Sequence, residues 1–165
     1  FQELLMSITN LKNTKIIFTK ANSDTDGRII NSMIDDYVAK NDNTIAFKSM
    51  GQLNYLSALQ FMDVVIGNSS SGLIEAPSFK IGTIDIGDRQ KGRVKAKSVL
   101  SCLPRKESID SALIELYSKK FQDNVNNVIN PYGLGGASKK IIKIIKDTSL
   151  DNIVKKSFFN LKNEF

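Results

Sequence analysis

Apolar and polar positions follow two rhythms along this chain. Short runs rich in β-branched residues recur at 13–21 (NTKIIFTKA), 43–49 (NTIAFKS), 63–68 (DVVIGN) and 81–87 (IGTIDIG), and each reads as a strand. Between them the apolar residues return at helical spacing. Ile29, Ile30, Met33, Ile34, Tyr37 and Val38 predict a helix over 28–40, and Leu53, Leu56, Leu59 with Phe61 or Met62 predict one over 51–62. A short helix is expected at 72–77, an amphipathic one at 107–121, another at 137–147 and a last one at 150–163. ANSDTDG (21–27) reads as a polar turn. Strand and helix alternate with links of a few residues, so the expected fold is α/β, a Rossmann-like doubly wound parallel sheet with helices on both faces. No repeat, low-complexity tract or linker divides the sequence, and residues 1–165 read as one domain.

Composition narrows the chemistry. The 165 residues, 41% of them hydrophobic, suffice for a domain-sized core. The chain begins at Phe1 rather than Met and is expected to be a piece of something longer. No apolar stretch approaches the roughly 20 residues of a bilayer-spanning helix, and no signal-peptide pattern opens the chain. A membrane role is therefore not expected. The single cysteine, Cys102 in SVLSCL (98–103), reads as a small core residue, and one thiol without a partner fits a reducing, cytoplasmic setting. There is no histidine, which removes the commonest general base and the commonest metal ligand. No metal site is expected.

Charge is unevenly placed. The net charge is +6, and residues 80–106 hold Lys80, Arg89, Lys91, Arg93, Lys95, Lys97, Arg105 and Lys106 against Asp85 and Asp88 alone, which leaves the rest of the chain balanced. This basic stretch follows the loop GNSSSG (67–72). In a doubly wound sheet such loops lie beyond the carboxyl ends of the strands, where ligands bind. Two readings compete for the loop's amides. In one, Ser71 or Gly72 caps the following helix, with Glu75 completing a capping arrangement. In the other, the amides and the hydroxyls of Ser69, Ser70 and Ser71 cradle an anion at the helix start, with Gly72 letting it approach and Glu75 nearby. Arg89 and Arg93, emerging at the same sheet edge, suit a phosphate clamp. A solvated basic turn and a nucleic-acid patch are the rivals; residues 80–106 hold no aromatic side chain to stack on bases, so a nucleic-acid partner is not expected.

The motif GNSSSGLIEAPSF with TIDIGDRQKGR resembles the carboxyl-terminal half of the UDP-N-acetylglucosamine 2-epimerases, in the hydrolysing branch that supplies N-acetylmannosamine for sialic acid synthesis. The resemblance extends to KANSDTDGR (20–28), SMGQLNYLSAL (49–59) and NPYGLGGASKKI (130–141), nearly the whole chain. NSSSG stands where non-hydrolysing relatives have an Asp-Ser-Gly-Gly loop. The resemblance implies a GT-B-like pair of Rossmann-like domains with a nucleotide sugar between them, this chain being the second. Ser69 and Ser70 would then bind the pyrophosphate and Glu75 the ribose, while Met50 would offer backbone groups to the uracil. Arg89 would face the phosphate or sugar and Asn22 the sugar, with Arg93 and Asp24 as further contacts. The family expels UDP with loss of the C2 proton and adds water to the resulting glycal. It uses chiefly carboxylates of the first domain, with a histidine near the domain junction, for the proton. No cofactor is implied. The expected partners are UDP or UDP-GlcNAc, the first domain, and a second copy of the intact protein.

The sequence also departs from the family pattern. Leu134 stands where an Asp is usual, and Ser32 and Asp35 stand where animal relatives carry arginines that recognise a sialic acid end-product. The motifs do not separate UDP-GlcNAc from UDP- or GDP-linked diacetylbacillosamine. Two alternatives remain in view, the nucleotide domain of a GT-B glycosyltransferase and a non-catalytic nucleotide-sugar sensor. The last helix, with Phe158 and Phe159, is a candidate for docking on the first domain.

Overall fold

The computed structural model describes residues 1–22, 26–151 and 153–155. The chain divides into two units, Phe1–Tyr132 and Gly133–Phe165.

In the first unit all strand pairing is parallel. β1 (Ile16–Thr19) pairs with β2 (Thr44–Phe47), and β3 (Val64–Gly67), β4 (Gly82–Ile86) and β5 (Val99–Cys102) form a sheet in that order. Among the described residues, the strands thus form two sheets, and side chains join them: Leu4 and Leu11 pack against the cores of both. The strands are four or five residues long, shorter than the runs that predict them, because lysines, asparagines and glycines flank each apolar centre. β5 lies in the stretch that periodicity marks only as apolar around Cys102.

Period-two alternation sends the strands' side chains to opposite faces. Val64, Ile66, Ile84, Ile86, Leu100 and Cys102 meet Ile109, Ala112, Leu113 and Leu116 of α5 (Lys106–Leu116) and Phe121 and Val125 of α6 (Lys119–Asn126). Val65 turns the other way, toward Leu59 of α3 (Gly51–Leu59) and Ala76 and Ile81. Helices therefore cover both faces, as the alternation predicts. A third cluster joins Ile8 of α1 (Gln2–Ile8), Phe18 of β1 and Ile34 of α2 (Gly27–Val38). Burying each such side chain stabilises by about 1.5–3 kcal/mol.

Three boundaries differ from expectation. The helix expected at 107–121 is two helices, because Ser118 is extended (φ −66°, ψ 143°) and its hydroxyl caps α6 by accepting from the Phe121 amide at 3.2 Å. The short helix expected at 72–77 is one turn, α4 (Ser71–Ile74), followed by a 3₁₀ turn at Ala76–Phe79. Pro77 explains the stop: it lacks an N–H and disfavours helical geometry at Ala76. α3 ends at Leu59, short of the expected 62; Leu56, Leu59 and Met62 pack as expected, joined by Tyr55, whereas Leu53 and Phe61 are exposed.

The second unit contains α7 (Ala137–Asp147), opened by Gly136 at φ 78° and carrying Ile141, Ile142, Ile144 and Ile145 among lysines. The helix expected at 150–163 falls largely outside the described residues, as does Asp24; 151 and 153–155 form turns and a bend. Among the described residues no helix is long and apolar enough to cross a membrane.

Candidate functional site

β3 ends at Gly67, whose φ of 149° favours glycine, and the chain leaves the sheet as Asn68–Ser69–Ser70 before α4 begins. Ser70 is the N-cap residue, without a side-chain cap bond. Glu75 lies at the C-cap of α4, its amide bonded to the Ser71 carbonyl. The capping arrangement around Gly72 is therefore not formed. A single turn also has little dipole, so any anion here is held by individual amides and side chains.

The loop's hydrogen-bonding groups divide into used and free. The Gly72 amide reaches the Ser69 carbonyl at 3.3 Å, the Ser71 amide reaches Ser69 Oγ at 3.4 Å, and Ser71 Oγ shares a 2.6 Å bond with the Tyr55 hydroxyl. The amides of Ser69 and Ser70 donate to no protein group among the described residues. Gly72 is buried against β4: the Thr83 hydroxyl donates to its carbonyl at 2.8 Å. Burial pushes the Tyr55 phenol above its ordinary value, the Ser71 bond opposes that, and the Glu75 charge adds to it. Tyr55, Ser71 and Glu75 thus form one cluster on the loop's flank.

The basic loop between β4 and β5 is fastened internally. Gln90, 3% exposed, donates from Nε2 to the Asn68 carbonyl at 2.7 Å. At the loop's far end Lys95 Nζ meets buried Asp85 at 2.7 Å and Ser101 Oγ at 2.6 Å. The Tyr132 hydroxyl donates to the Val94 carbonyl at 2.9 Å. Gly87 (φ 85°) and Gly92 (φ 81°) supply the left-handed turns this path requires. Arg89 and Arg93 remain exposed, with no ion pair or side-chain hydrogen bond among the described residues. A solvated turn does not describe this loop, since Gln90, Ala96 and Ser98 are buried. Lys95, part of the basic excess, is used in holding the loop.

NPYG (130–133) fixes the other side. Asn130 Nδ2 donates to the Ile74 carbonyl at 2.8 Å and to Ser78 Oγ at 2.6 Å, clasping the end of α4. Leu134, in the second unit, is exposed.

Among the described residues, the remaining candidates make no side-chain hydrogen bond with this cluster. Met50 is the half-buried N-cap residue of α3. Asn22 lines a cavity of about 370 Å³ with Lys20, Ala21, Gly27, Arg28, Asn31 and Lys48, to which no serine-loop or basic-loop residue contributes. Gly27 is obligatory there, because a Cβ would fall 2.0 Å from the Asn22 carbonyl oxygen. Among the described residues no group of three His, Cys, Asp or Glu side chains could hold a metal ion.

Sequence reasoning missed Tyr55, Gln90, the Asp85–Lys95 pair and Asn130. Tyr55 sits at helical spacing and reads as core, and Gln90 is hidden among cations. Tyr55, Asp85, Gln90 and Asn130 all lie within motifs already noted, but nothing in those motifs marks them as the residues that hold the loops.

Comparison with known proteins places this geometry in a family. The profile described as UDP-N-acetylglucosamine 2-epimerase matches residues 1–146, and the chain belongs to that family. It is 41% identical over 160 residues to the GDP/UDP-N,N'-diacetylbacillosamine 2-epimerase (hydrolyzing) of Campylobacter jejuni, covering 96% of this chain and 41% of that protein. It is 40% identical over 146 residues to polysialic acid biosynthesis protein P7 of Escherichia coli, covering 88% and 37%. The crystal structure of UDP-GlcNAc 2-epimerase from Neisseria meningitidis bound to UDP-GlcNAc superposes with a TM-score of 0.68 at 18% identity, covering 89% of this chain and 40% of that one. The fold is therefore the GT-B-like one of these epimerases, and the chain spans about two fifths of their length. The glycosyltransferase alternative is not favoured.

Proposed function

We propose that this chain is the UDP-binding half of a hydrolysing 2-epimerase that converts UDP-N-acetylglucosamine and water to N-acetylmannosamine and UDP in the cytoplasm, for sialic or related nonulosonic acid synthesis. One observation carries the reading. The Gln90–Asn68 bond brings the loop of Arg89 and Arg93 against the serine loop; among the described residues those arginines have no ion pair and the Ser69 and Ser70 amides no acceptor. Free amides and guanidinium groups on two loops fastened to each other suit a diphosphate.

In the reaction the sugar C1–oxygen bond breaks with its electron pair going to UDP, and the C2 proton goes to a base. Water then adds to the glycal, giving the C2-inverted free sugar. Charge gathers on the β-phosphate as UDP leaves, and the Ser69 and Ser70 amides with Arg89 stabilise it without reorganising. Arg93 adds a second cation, Glu75 takes the ribose hydroxyls, Met50 the uracil edge and Asn22 the sugar. Proton abstraction is assigned to the rest of the polypeptide, since the chain has no histidine, Glu75 is assigned to the ribose and Asp85 is paired with Lys95. The 41% identity to a diacetylbacillosamine epimerase supports a second reading, in which the sugar is that one and the nucleotide UDP or GDP.

Calorimetric titration tests the site. Affinity is expected to rise from uridine to UMP to UDP, with no free sugar released from UDP-GlcNAc by this chain alone. UDP bound no better than uridine would remove the diphosphate site, and equal affinity for GDP would move the choice to the second reading.

A further inference from the structure

We propose that Gln90 is a positioning residue that holds the basic loop against the serine loop and so presents Arg89 and Arg93 to the diphosphate. The delivery half of this rests on the UDP reading above, while the fastening stands on geometry alone. Within residues 88–93, Gln90 is the buried residue, with Asp88, Arg89, Lys91, Gly92 and Arg93 all exposed. Its Nε2 bond to the Asn68 carbonyl spans 22 positions of sequence, whereas the backbone bonds of this segment, Lys91 to Asp88 and Arg93 to Gln90, are local turns. Arg89, Lys91 and Arg93 repel one another and by themselves favour a splayed loop. A neutral amide is the side chain suited to the task. A lysine or arginine at this depth would be buried without a counter-charge. A glutamate would face the Asn68 carbonyl with no donor and would draw the neighbouring arginines inward.

Gln90 Oε1 is buried without a partner among the described residues. An unpaired buried acceptor is unfavourable, so the inward position is kept by the Nε2 bond and by packing, and losing the donor should release the loop.

The experiment uses Gln90→Met, which keeps length and burial but has no donor, together with Gln90→Glu, Arg89→Ala/Arg93→Ala, and Gln90→Met in that double background. Circular dichroism first establishes that each is folded. Two readouts follow. Trypsin cleaves after Arg89, Lys91 and Arg93, and cleavage there is expected to accelerate several-fold in Gln90→Met, while cleavage elsewhere is unchanged. Unchanged cleavage in this loop overturns the fastening. Calorimetry then reads UDP and uridine. Gln90→Met should weaken UDP by roughly fivefold, the scale of one hydrogen bond, and leave uridine unaffected. In the arginine-free background it should cost nothing further. Gln90→Glu should weaken UDP more than Gln90→Met. An equal loss with and without the arginines, or a loss shared by uridine, overturns delivery and makes Gln90 a purely structural residue. Failure of the parent chain to bind UDP overturns the UDP reading and delivery together, and leaves the fastening to the trypsin result.

Discussion

At the scale of single residues, Gly72 shows how a binding loop is set by what lies beneath it. A Cβ there would stand 2.6 Å from Thr83 Cγ2, while the Thr83 hydroxyl holds the Gly72 carbonyl. Thr83 is 2% exposed on a central strand and has nowhere to move. Gly72→Ala should therefore cost about 1–3 kcal/mol, the range for overpacking a tight core, as measured by urea denaturation. Thr83→Ser, which removes the obstructing methyl and keeps the hydroxyl, should restore most of that loss. A Gly72→Ala chain as stable as the parent would show that the contact is slack. In the sequence this glycine reads as room for a phosphate, and its packing role was not legible because the strand beneath it is ten residues away in the chain. The same limit hides Gln90. Nothing local marks one amide among cations as the inward-facing residue, whereas the position of the serine loop itself is legible, since a β-branched run ending in small polar residues leaves a sheet only at its edge.

At the scale of elements, strand–helix alternation made the parallel order readable, because each apolar run has a period that only one element type satisfies. The interruptions were harder. A single serine divides α5 from α6, and a proline limits α4 to one turn, both acting on backbone groups that leave hydrophobic periodicity unchanged. The shortened α4 gains support from α3 through the 2.6 Å Tyr55–Ser71 bond, and that contact carries a pH signature. Burial and Glu75 raise the Tyr55 phenol above its ordinary value near 10. With a raised folded pKa, the stability from keeping the phenol protonated is complete below the unfolded pKa. It declines as pH climbs through 10 toward the folded value, because the unfolded chain ionises first. Tyr55→Phe, which loses roughly 1 kcal/mol with the hydrogen bond at neutral pH, has no such decline. The stability gap between parent and variant should narrow as pH rises above about 10. A gap that stays constant or widens in denaturant titrations at pH 8 and above would mean that the phenol is not desolvated against Ser71.

At the scale of the whole molecule, the net charge of +6 resides in residues 80–106, and the structure separates that charge by task. Lys95 is paired with Asp85 and Lys106 with Asp110, so two of the eight cations hold the fold together. Arg89, Lys91, Arg93 and Lys97 stay exposed along the β4–β5 loop. A field from exposed charges is screened by salt, with a Debye length of about 10 Å at 0.1 M ionic strength, whereas hydrogen bonds from the Ser69 and Ser70 amides are far less sensitive. The two contributions to UDP binding can therefore be told apart. UDP affinity should fall as ionic strength rises from about 0.05 to 0.5 M, over which the Debye length shrinks roughly threefold, and should level off at a residual set by the serine-loop amides. Uridine affinity should stay flat throughout. Arg89→Ala/Arg93→Ala should start weaker and lose most of its salt dependence, so that its curve meets the parent's at high salt. UDP binding indifferent to salt in the parent chain would mean that the exposed arginines do not face the phosphates. The serine loop would then bind alone, and the basic stretch would need another partner to explain its placement.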